Sequence, residues 1–197
     1  MKIVSACLLG VKCNFEGNHS LNSALMADFV KGELFPVCPE VLGGLPVPRS
    51  PSEIVEGDGL DVIEGKAKVV NSAGVDVTNN FLKGAYETLR IAQAIGAKEA
   101  FFAEKSPSCG CNLIFDGTFS NRLIQGNGVT TALLKKNGIK VLSKKCTQKR
   151  VHQLCRTIIV LVFIIPSTLR IFSIHSLTST TFIPVITATM SYSPVTS

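Results

Sequence analysis

Three cysteines far apart in the sequence each follow a short apolar run and lead into a turn: Cys7, Cys38 and Cys109. Apolar runs that end near glycine or proline are typical of buried strands leaving a sheet. If these strands are parallel, their carboxyl ends share one edge, which is where open α/β sheets bind ligands. Three thiols would then meet at one site. Such soft ligands suit a zinc ion or an iron–sulfur cluster with one coordination position left open.

Two further cysteines lie close to this set in the sequence. Cys13 shares one loop with Cys7, and Cys111 follows Cys109 in a C-G-C sequence. No pair has the spacing of a structural zinc ribbon, and an isolated cysteine is often a simple buried apolar side chain. Because most of these cysteines adjoin glycine or proline at a strand end, the spacing alone leaves a metal or cluster site and buried thiols as equal alternatives.

Polar side chains that could move protons accompany two of the strand-end cysteines. Glu40 comes two residues after the second of them, and a carboxylate beside a water-excluding pocket can exchange protons. Ser106 and Ser108 precede the third. Glutamate is also common in solvated loops and serine in turns, so both interpretations stay open. Arg49, on a stiff proline-rich segment, either binds an anionic group or pairs with Glu53.

The elements that must position these residues are alternating strands and helices. Apolar runs predict strands over residues 2–6, 34–37, 99–103, 113–115 and 139–142. Helical periodicity and caps predict helices over residues 23–31, from Asn79 or Asn80 to Gly96, and over 129–136. Strands separated by helices favour the α/β class, here a compact, Rossmann-like, mostly parallel sheet flanked by helices.

The segment after the second strand is predicted to be less regular. Residues 39–54 are rich in proline and glycine, which predicts a long loop. Residues 61–63 and 67–70, separated by a Glu-Gly-Lys sequence, predict a β-hairpin. The predicted loop would hold both Glu40 and Arg49.

The net charge of +6 suggests a nucleic-acid-binding protein, but the distribution of charge argues against one. All 14 acidic residues lie between Glu16 and Asp116. Six of the 20 basic residues lie beyond residue 143, so residues 1–143 are formally neutral. No basic cluster is visible in this part of the chain. We therefore expect no nucleic-acid partner.

The composition changes abruptly after residue 143. Residues 144–197 contain no glycine and no acidic residue, and serine and threonine crowd their second half. An apolar run at residues 157–165 is too short to span a bilayer, which takes about 20 apolar residues. We predict a single domain over residues 1–143 followed by an atypical, disordered or non-native tail. A weak membrane-surface anchor is the alternative interpretation of the tail.

The cysteine content and the N-terminus together indicate the compartment. Seven cysteines are an odd number, and the first residues show no cleavable signal pattern. A chain of this size with its own core rarely needs disulfides. We therefore expect reduced cysteines and a cytoplasmic enzyme, with no membrane partner.

Taken together, the compound motifs of the first 143 residues resemble one family. They are VSACLLGVKCNFEG, PVCPEVLGGLPVPRSPSEI, KSPSCG and IFDGTFSNRLIQGNGVTTALLKKNGIKV, in that order. The chain is similar here to the thiouracil desulfurase (desulfidase) family, long known as domain of unknown function 523. The tail from Lys144 lies outside the resemblance.

The resemblance implies a [4Fe-4S] cluster held by three cysteines, with the fourth iron open to substrate. It also implies the removal of sulfur from a thiolated pyrimidine such as 2-thiouracil, which gives uracil and hydrogen sulfide without net redox change. Four cysteines occupy motif positions, and spacing does not choose among them. Because they follow strands and should be rigidly placed, we predict Cys7, Cys38 and Cys109 as ligands, with Cys13 in reserve.

The remaining site residues are assigned as hypotheses on the same resemblance. Glu40 would activate water or shuttle protons, and Ser108 or Ser106 would hydrogen-bond the ring or the leaving sulfur. Backbone N–H groups near Gly110 and Gly128 would anchor the pyrimidine carbonyls. Zinc remains the weaker alternative as cofactor. A non-catalytic cluster-binding redox sensor or sulfur carrier remains the alternative function.

Overall fold

A computed structural model of the chain describes residues 1–143, so the predicted tail 144–197 lies outside the described residues. The strands are β1 (Lys2–Ser5), β2 (Leu34–Val37), β3 (Ser52–Val55), β4 (Lys68–Asn71), β5 (Glu99–Phe102), β6 (Leu113–Phe115), β7 (Leu123–Gln125) and β8 (Lys140–Ser143). The helices are a short 3₁₀ helix (Ala6–Leu9), α1 (Ser23–Val30), α2 (Pro39–Leu42), α3 (Gly59–Ile63), α4 (Thr78–Ala94) and α5 (Val129–Lys136). None of the helices among these described residues is long and apolar enough to cross a membrane.

The main sheet has four parallel strands in the order β2-β1-β5-β8. This confirms the predicted α/β class. The chain runs from β1 outward to β2 and then returns to the other side of β1 to form β5, so the direction of the strand order reverses between β1 and β5. In open α/β sheets, ligands bind beyond the carboxyl ends of the strands at such a reversal. The topology therefore places a crevice where the loops after β1 and β5 diverge.

Each face of the sheet is covered by its own apolar cluster. Ile3 and Phe102 point to one face and join the larger cluster, which includes residues of α4 and α5. Val4 and Phe101 point to the other face and pack with Leu25 of α1 and residues of the 3₁₀ helix. Neighbouring strand residues point to opposite faces, so near-continuous apolar strands are what a sheet covered on both sides requires.

Two small antiparallel strand pairs are added to this parallel core. β3 pairs with β4, and β6 pairs with β7. The prediction of a loop over residues 39–54 is therefore wrong in part, because this segment contains α2 and most of β3. Proline at the first position of a helix costs no hydrogen bond, so Pro39 can begin α2.

The predicted hairpin of residues 61–63 and 67–70 is also wrong. Residues 59–63 form α3, and β4 pairs instead with the earlier β3. The Asp58 side chain accepts the N–H of Asp61 while the Asp61 side chain accepts the N–H of Asp58, which makes a reciprocal capping box. Such a box favours a helix start, whereas the short apolar run alone fits either kind of element.

Helix α4 begins at Thr78, after Val77, and neither predicted cap at Asn79 or Asn80 is used. The Asn80 side chain instead donates to the carbonyl oxygen of Gly43, 3.0 Å away, at the end of α2. A Cβ added at Gly43 would overlap the carbonyl oxygen of Asn80, and one at Gly84 would overlap that of Pro39. The two glycines thus let α2 lie directly against α4.

Candidate active site at the edge of the sheet

A cavity of about 440 Å³ is lined by all four cysteines of the predicted ligand set: Cys7, Cys13, Cys38 and Cys109. We call these four residues the thiol wall. Cys7 and Cys13 follow β1, Cys38 directly follows β2, and Cys109 lies in the loop after β5. A larger cavity of about 570 Å³ shares Arg49, but no cysteine or carboxylate lines it.

The same cavity is bordered by residues from the antiparallel strand pairs. These are Ser52, Glu53, Phe115 and Asn121, which we call the hairpin wall. Ser52 and Glu53 belong to β3, and Phe115 ends β6. The cavity is thus formed jointly by loops of the parallel sheet and by the strand pairs added to it.

Three thiols of the thiol wall form a hydrogen-bonded series with Cys13 in the middle. The hydrogen bond that Cys13 receives from Cys38 lowers the pKa of Cys13. The bond to Cys7, together with burial, raises it, and the net pKa is about 11. Its hydrogen bond to Cys13 and its burial raise the pKa of the Cys38 thiol above its usual range. Cys38 Sγ also lies 3.6 Å from the carbonyl oxygen of Cys13.

Cys109 is the most buried member of the thiol wall, and two serine hydroxyls contact its sulfur. Burial raises the pKa of its thiol, and hydroxyl groups of Ser5 and Ser108 that donate to the sulfur act in the opposite direction. The Ser5 Oγ lies 3.4 Å from Cys109 Sγ and accepts the N–H of Ala103 at 3.1 Å. Ser5 is the last residue of β1, so the end of this strand fixes the third thiol.

The donor set fits an iron–sulfur cluster. The four cysteines of the thiol wall are free thiols, and cysteine thiolates are the usual ligands of such clusters. Within residues 1–143, no three cysteine, histidine or carboxylate side chains come close enough together to coordinate one metal ion. A cubane cluster binds each thiolate to a different iron atom, so its ligands lie further apart than those of a single zinc ion.

Glu40 lies in the first turn of α2 and is held by two partners. Arg49 binds its Oε2 through Nε and Nη2, each at 2.7 Å. Ser106 donates its hydroxyl to Oε1 at 3.0 Å. Arg49 also donates to the carbonyl oxygen of Cys13 at 3.1 Å, so it connects the carboxylate to the thiol wall. Of the two sequence alternatives for Arg49, pairing with Glu53 does not occur.

The two predicted serines occupy different environments. Ser106 lines the cavity, and its Oγ accepts the N–H groups of Ser108 and Cys109 at 3.1 Å each. Ser108 is buried and does not line the cavity, and its hydroxyl lies 2.8 Å from that of Thr130. Glu40 also lines the cavity, so Ser106, unlike Ser108, lies beside the carboxylate at the cavity surface.

The backbone N–H groups expected to anchor a substrate are already used within the fold. Gly110 donates to the carbonyl oxygen of Ser106 at 2.7 Å, and Gly128 donates to that of Gly110 at 2.9 Å. The expectation that they bind pyrimidine carbonyls is wrong for these two groups. The start of α5 serves instead to hold the loop that carries Ser106 and Cys109.

Two polar residues of this region have roles that the sequence analysis did not assign. Ser5 ends β1 and contacts the sulfur of Cys109, and Glu53 of the hairpin wall is buried. Ser5 could have been predicted as a site residue, because it is a polar residue at the end of an otherwise apolar strand. Cys111, by contrast, lies in the core with its Sγ 3.6 Å from the carbonyl oxygen of Val141, away from the cavity lining.

Comparison with known proteins agrees with this geometry. The chain is 43% identical over 144 residues to the uncharacterized protein YbbK of Bacillus subtilis (strain 168), covering 73% of this chain and 95% of the relative. A solved structure of the [4Fe-4S]-dependent thiouracil desulfidase TudS (DUF523Vcz) superposes with a TM-score of 0.67 at 37% identity, covering 78% of this chain and 97% of that one. Residues 3–145 match the model of the 2-thiouracil desulfurase family, and the chain belongs to that family.

Proposed function

We propose that this protein is a [4Fe-4S]-dependent enzyme that removes sulfur from a thiolated pyrimidine such as 2-thiouracil. One water is consumed, its oxygen replaces sulfur on the ring carbon, and uracil and hydrogen sulfide leave. No electron acceptor or donor is needed, because carbon keeps its oxidation state. The family match and the similarity to a [4Fe-4S]-dependent thiouracil desulfidase support this reaction.

The observation that carries the proposal is a single cavity that unites thiols with a polarised acid–base pair. Four free cysteines line it, and so does Glu40, whose carboxylate accepts the Ser106 hydroxyl. A simple storage site for metal would not need a carboxylate oriented by two partners. The arrangement therefore favours an enzyme over a cluster-binding sensor or sulfur carrier.

Cys7, Cys38 and Cys109 would hold the cluster, with Cys13 as the reserve ligand. When bound, the cluster would supply a Lewis acid that polarises the carbon–sulfur bond of the substrate. Cys13 lies between Cys7 and Cys38 in the hydrogen-bonded series, so it is positioned to donate to either sulfur without being a ligand. Ser5 and Ser108 would hydrogen-bond the Cys109 sulfur, which is how neighbouring groups orient a ligand.

Glu40 would take the proton of the attacking water directly, because its carboxylate lines the cavity. Ser106 Oγ accepts two backbone N–H groups and donates to Glu40 Oε1, so Ser106 holds the carboxylate in place for this transfer. Arg49 fixes the other carboxylate oxygen. Glu40 returns this proton to the leaving sulfur, and the second proton of the water leaves the added hydroxyl group as the carbonyl forms. The sulfur takes up both protons and departs as hydrogen sulfide. General acid–base transfer of this kind typically contributes about 10²–10⁴-fold in rate.

The substitution Glu40→Gln separates catalysis from cluster binding. We expect anaerobically reconstituted Glu40→Gln protein to keep its iron and acid-labile sulfide while sulfide release from 2-thiouracil falls by roughly 10²–10⁴-fold. Glu33→Gln, which removes an exposed carboxylate away from the cavity, is the matched control. A redox sensor or sulfur carrier would show no turnover in the wild type and no difference between the two variants.

We also propose that the protein works in the cytoplasm. The four cysteines of the thiol wall are free, and free thiols persist in reducing compartments. The proposal predicts that the protein is recovered in the cytosolic fraction of its host with its cysteines open to alkylation under denaturing, cluster-free conditions.

A further inference from the structure

We propose that Glu53 is the specificity-determining residue of the cavity and that its carboxylate accepts a hydrogen bond from a ring N–H of the pyrimidine. The inference rests on the proposed function for its substrate class. It gives the hairpin wall a function, since the proposed reaction uses no residue of that wall.

Glu53 is buried, at 7% exposure, yet it lines the cavity. It lies on β3 next to Ile54, which packs in the larger apolar cluster. Since successive strand residues point to opposite sides, the glutamate is directed away from that cluster. Burying a carboxylate in this position is costly unless something compensates its charge.

Glu53 forms no ion pair with any of the residues 1–143. Two cations also line the cavity, Arg49 and Lys105. Arg49 is bound by Glu40, and Lys105 makes no ion pair with Glu53. A buried carboxylate that faces a cavity without a charged partner is available to a ligand that brings hydrogen-bond donors.

One oxygen of Glu53 is used and the other is open. Oε2 accepts the N–H of Phe119 at 3.0 Å, which secures the loop between β6 and β7. In the described part of the chain, every side-chain nitrogen or oxygen that is closed to solvent has a hydrogen-bond partner. The Glu53 hydrogen bond uses Oε2. Oε1 has no partner among the described residues, so it is not closed to solvent and can be reached from the cavity.

The neighbours of Glu53 suit a planar ring with polar edges. Phe115 and Asn121 line the cavity on the same wall, and aromatic side chains bind flat rings by stacking. A 2-thiouracil ring carries an N–H on each side of the carbon that bears sulfur. A carboxylate is an acceptor only, so it selects a ring N–H and orients the adjacent carbon–sulfur bond.

Glu53→Gln tests the inference with little change in shape. The amide oxygen can keep the bond to the Phe119 N–H, while the open position becomes a donor. We expect KM for 2-thiouracil to rise roughly 10- to 100-fold, as for the loss of a hydrogen bond to a charged group, with kcat and iron content preserved. Glu56→Gln, an exposed carboxylate three residues along that does not line the cavity, is the matched control.

Methylated substrates distinguish direct contact from an indirect structural effect. In the wild-type holoenzyme, either 1-methyl- or 3-methyl-2-thiouracil should lose roughly 10- to 100-fold in kcat/KM. The same methyl group should cost much less in Glu53→Gln, because the acceptor is already gone. A methyl group that merely clashes would cost the same in both proteins. If each methylated analogue loses as much in Glu53→Gln as in the wild type, the inference is overturned and Glu53 has only a loop-anchoring role.

Binding of the product uracil, measured by calorimetry on the holoenzyme, separates this inference from the proposed function. Weaker uracil binding by Glu53→Gln supports the inference even if the wild type releases no sulfide, a result that would overturn only the function. Sulfide release with uracil binding unchanged in the variant would overturn only the inference. No uracil binding by the wild type would also overturn the inference, and sulfide release would then decide the function by itself.

Discussion

The two walls of the cavity are built from different kinds of structure. The thiol wall comes from loops after β1, β2 and β5, strands of the parallel sheet. The hairpin wall comes from β3 and from the β6–β7 pair, both antiparallel additions. Parallel strands direct their carboxyl ends to one edge and so bring distant thiols together. Antiparallel pairs can be attached beside that edge without altering the sheet.

This difference separates two tasks. The thiol wall and Glu40 supply groups that would hold a cluster and move protons, and Glu40 is fixed by both Arg49 and Ser106. The hairpin wall offers an aromatic ring and a buried carboxylate with one open oxygen. Chemistry and substrate selection thus depend on different elements. The comparison predicts that substitutions in the thiol wall change cluster content or kcat, and that those in the hairpin wall change KM.

The largest effects should come from the ligands themselves. We expect Cys38→Ser or Cys109→Ser to lose both iron and sulfide release after anaerobic reconstitution, because three thiolates are needed to hold the cluster. Cys7→Ser should behave the same way, whereas Cys13→Ser should retain iron. The measurement is iron and acid-labile sulfide per chain.

Cys111→Ala serves as the control for these cysteines, since Cys111 lies outside the cavity lining. Retention of the full cluster and activity in Cys38→Ser or Cys109→Ser would remove the thiol wall from the mechanism. Loss of iron in Cys13→Ser with retention in Cys7→Ser would exchange the two in the ligand set.

An intermediate effect is expected for Arg49→Lys. Lysine keeps the charge but cannot reproduce the two contacts to Glu40 Oε2 together with those to the carbonyls of Pro46 and Cys13. Poorer orientation of Glu40 should lower kcat by about tenfold with little change in KM. Steady-state kinetics of desulfuration measure both parameters.

Arg90→Lys, in an exposed helical pair with Glu87, controls for the general effect of this replacement. A rise in KM with an unchanged kcat would show that Arg49 binds substrate rather than orienting Glu40. That outcome would show that a residue outside the hairpin wall also determines KM.

The smallest effect should be that of Phe115→Leu on the hairpin wall. Loss of ring stacking should raise KM by about 2- to 10-fold, since an aromatic pair contributes about 0.5–1.5 kcal/mol beyond its buried area. The iron content and kcat should be preserved. Initial rates over a range of 2-thiouracil concentrations provide the measurement.

Phe35→Leu is the matched control, because Phe35 is an exposed phenylalanine of β2 that does not line the cavity. A loss of cluster in Phe115→Leu would mean that the hairpin wall supports the thiol wall structurally. The two walls would then not be independent.

Much of the fold followed from local signals in the sequence. The strand over residues 34–37 and the helix over residues 129–136 were predicted with the bounds they have. Their apolar periodicity and flanking glycines are unambiguous. The errors that changed the type of an element fell mainly in residues 39–70, where short elements depend on contacts distant in sequence. β3 is stabilised by pairing with β4, which lies later in the sequence. α2 packs on α4 through a close backbone contact at Gly43 and Gly84.

The sequence by itself determined the donor types: thiols in turns at strand ends, a carboxylate after the second strand and serines before Cys109. It also determined that a parallel sheet would bring them together, because strand direction follows from the alternation of strands and helices. Tertiary structure alone decided which polar groups stay available. It used the N–H groups of Gly110 and Gly128, turned Ser108 away from the cavity and paired Arg49 with Glu40. It left Glu53 with one oxygen bonded and one open, because hydrogen-bond partners are chosen by three-dimensional proximity that residue type and spacing do not encode.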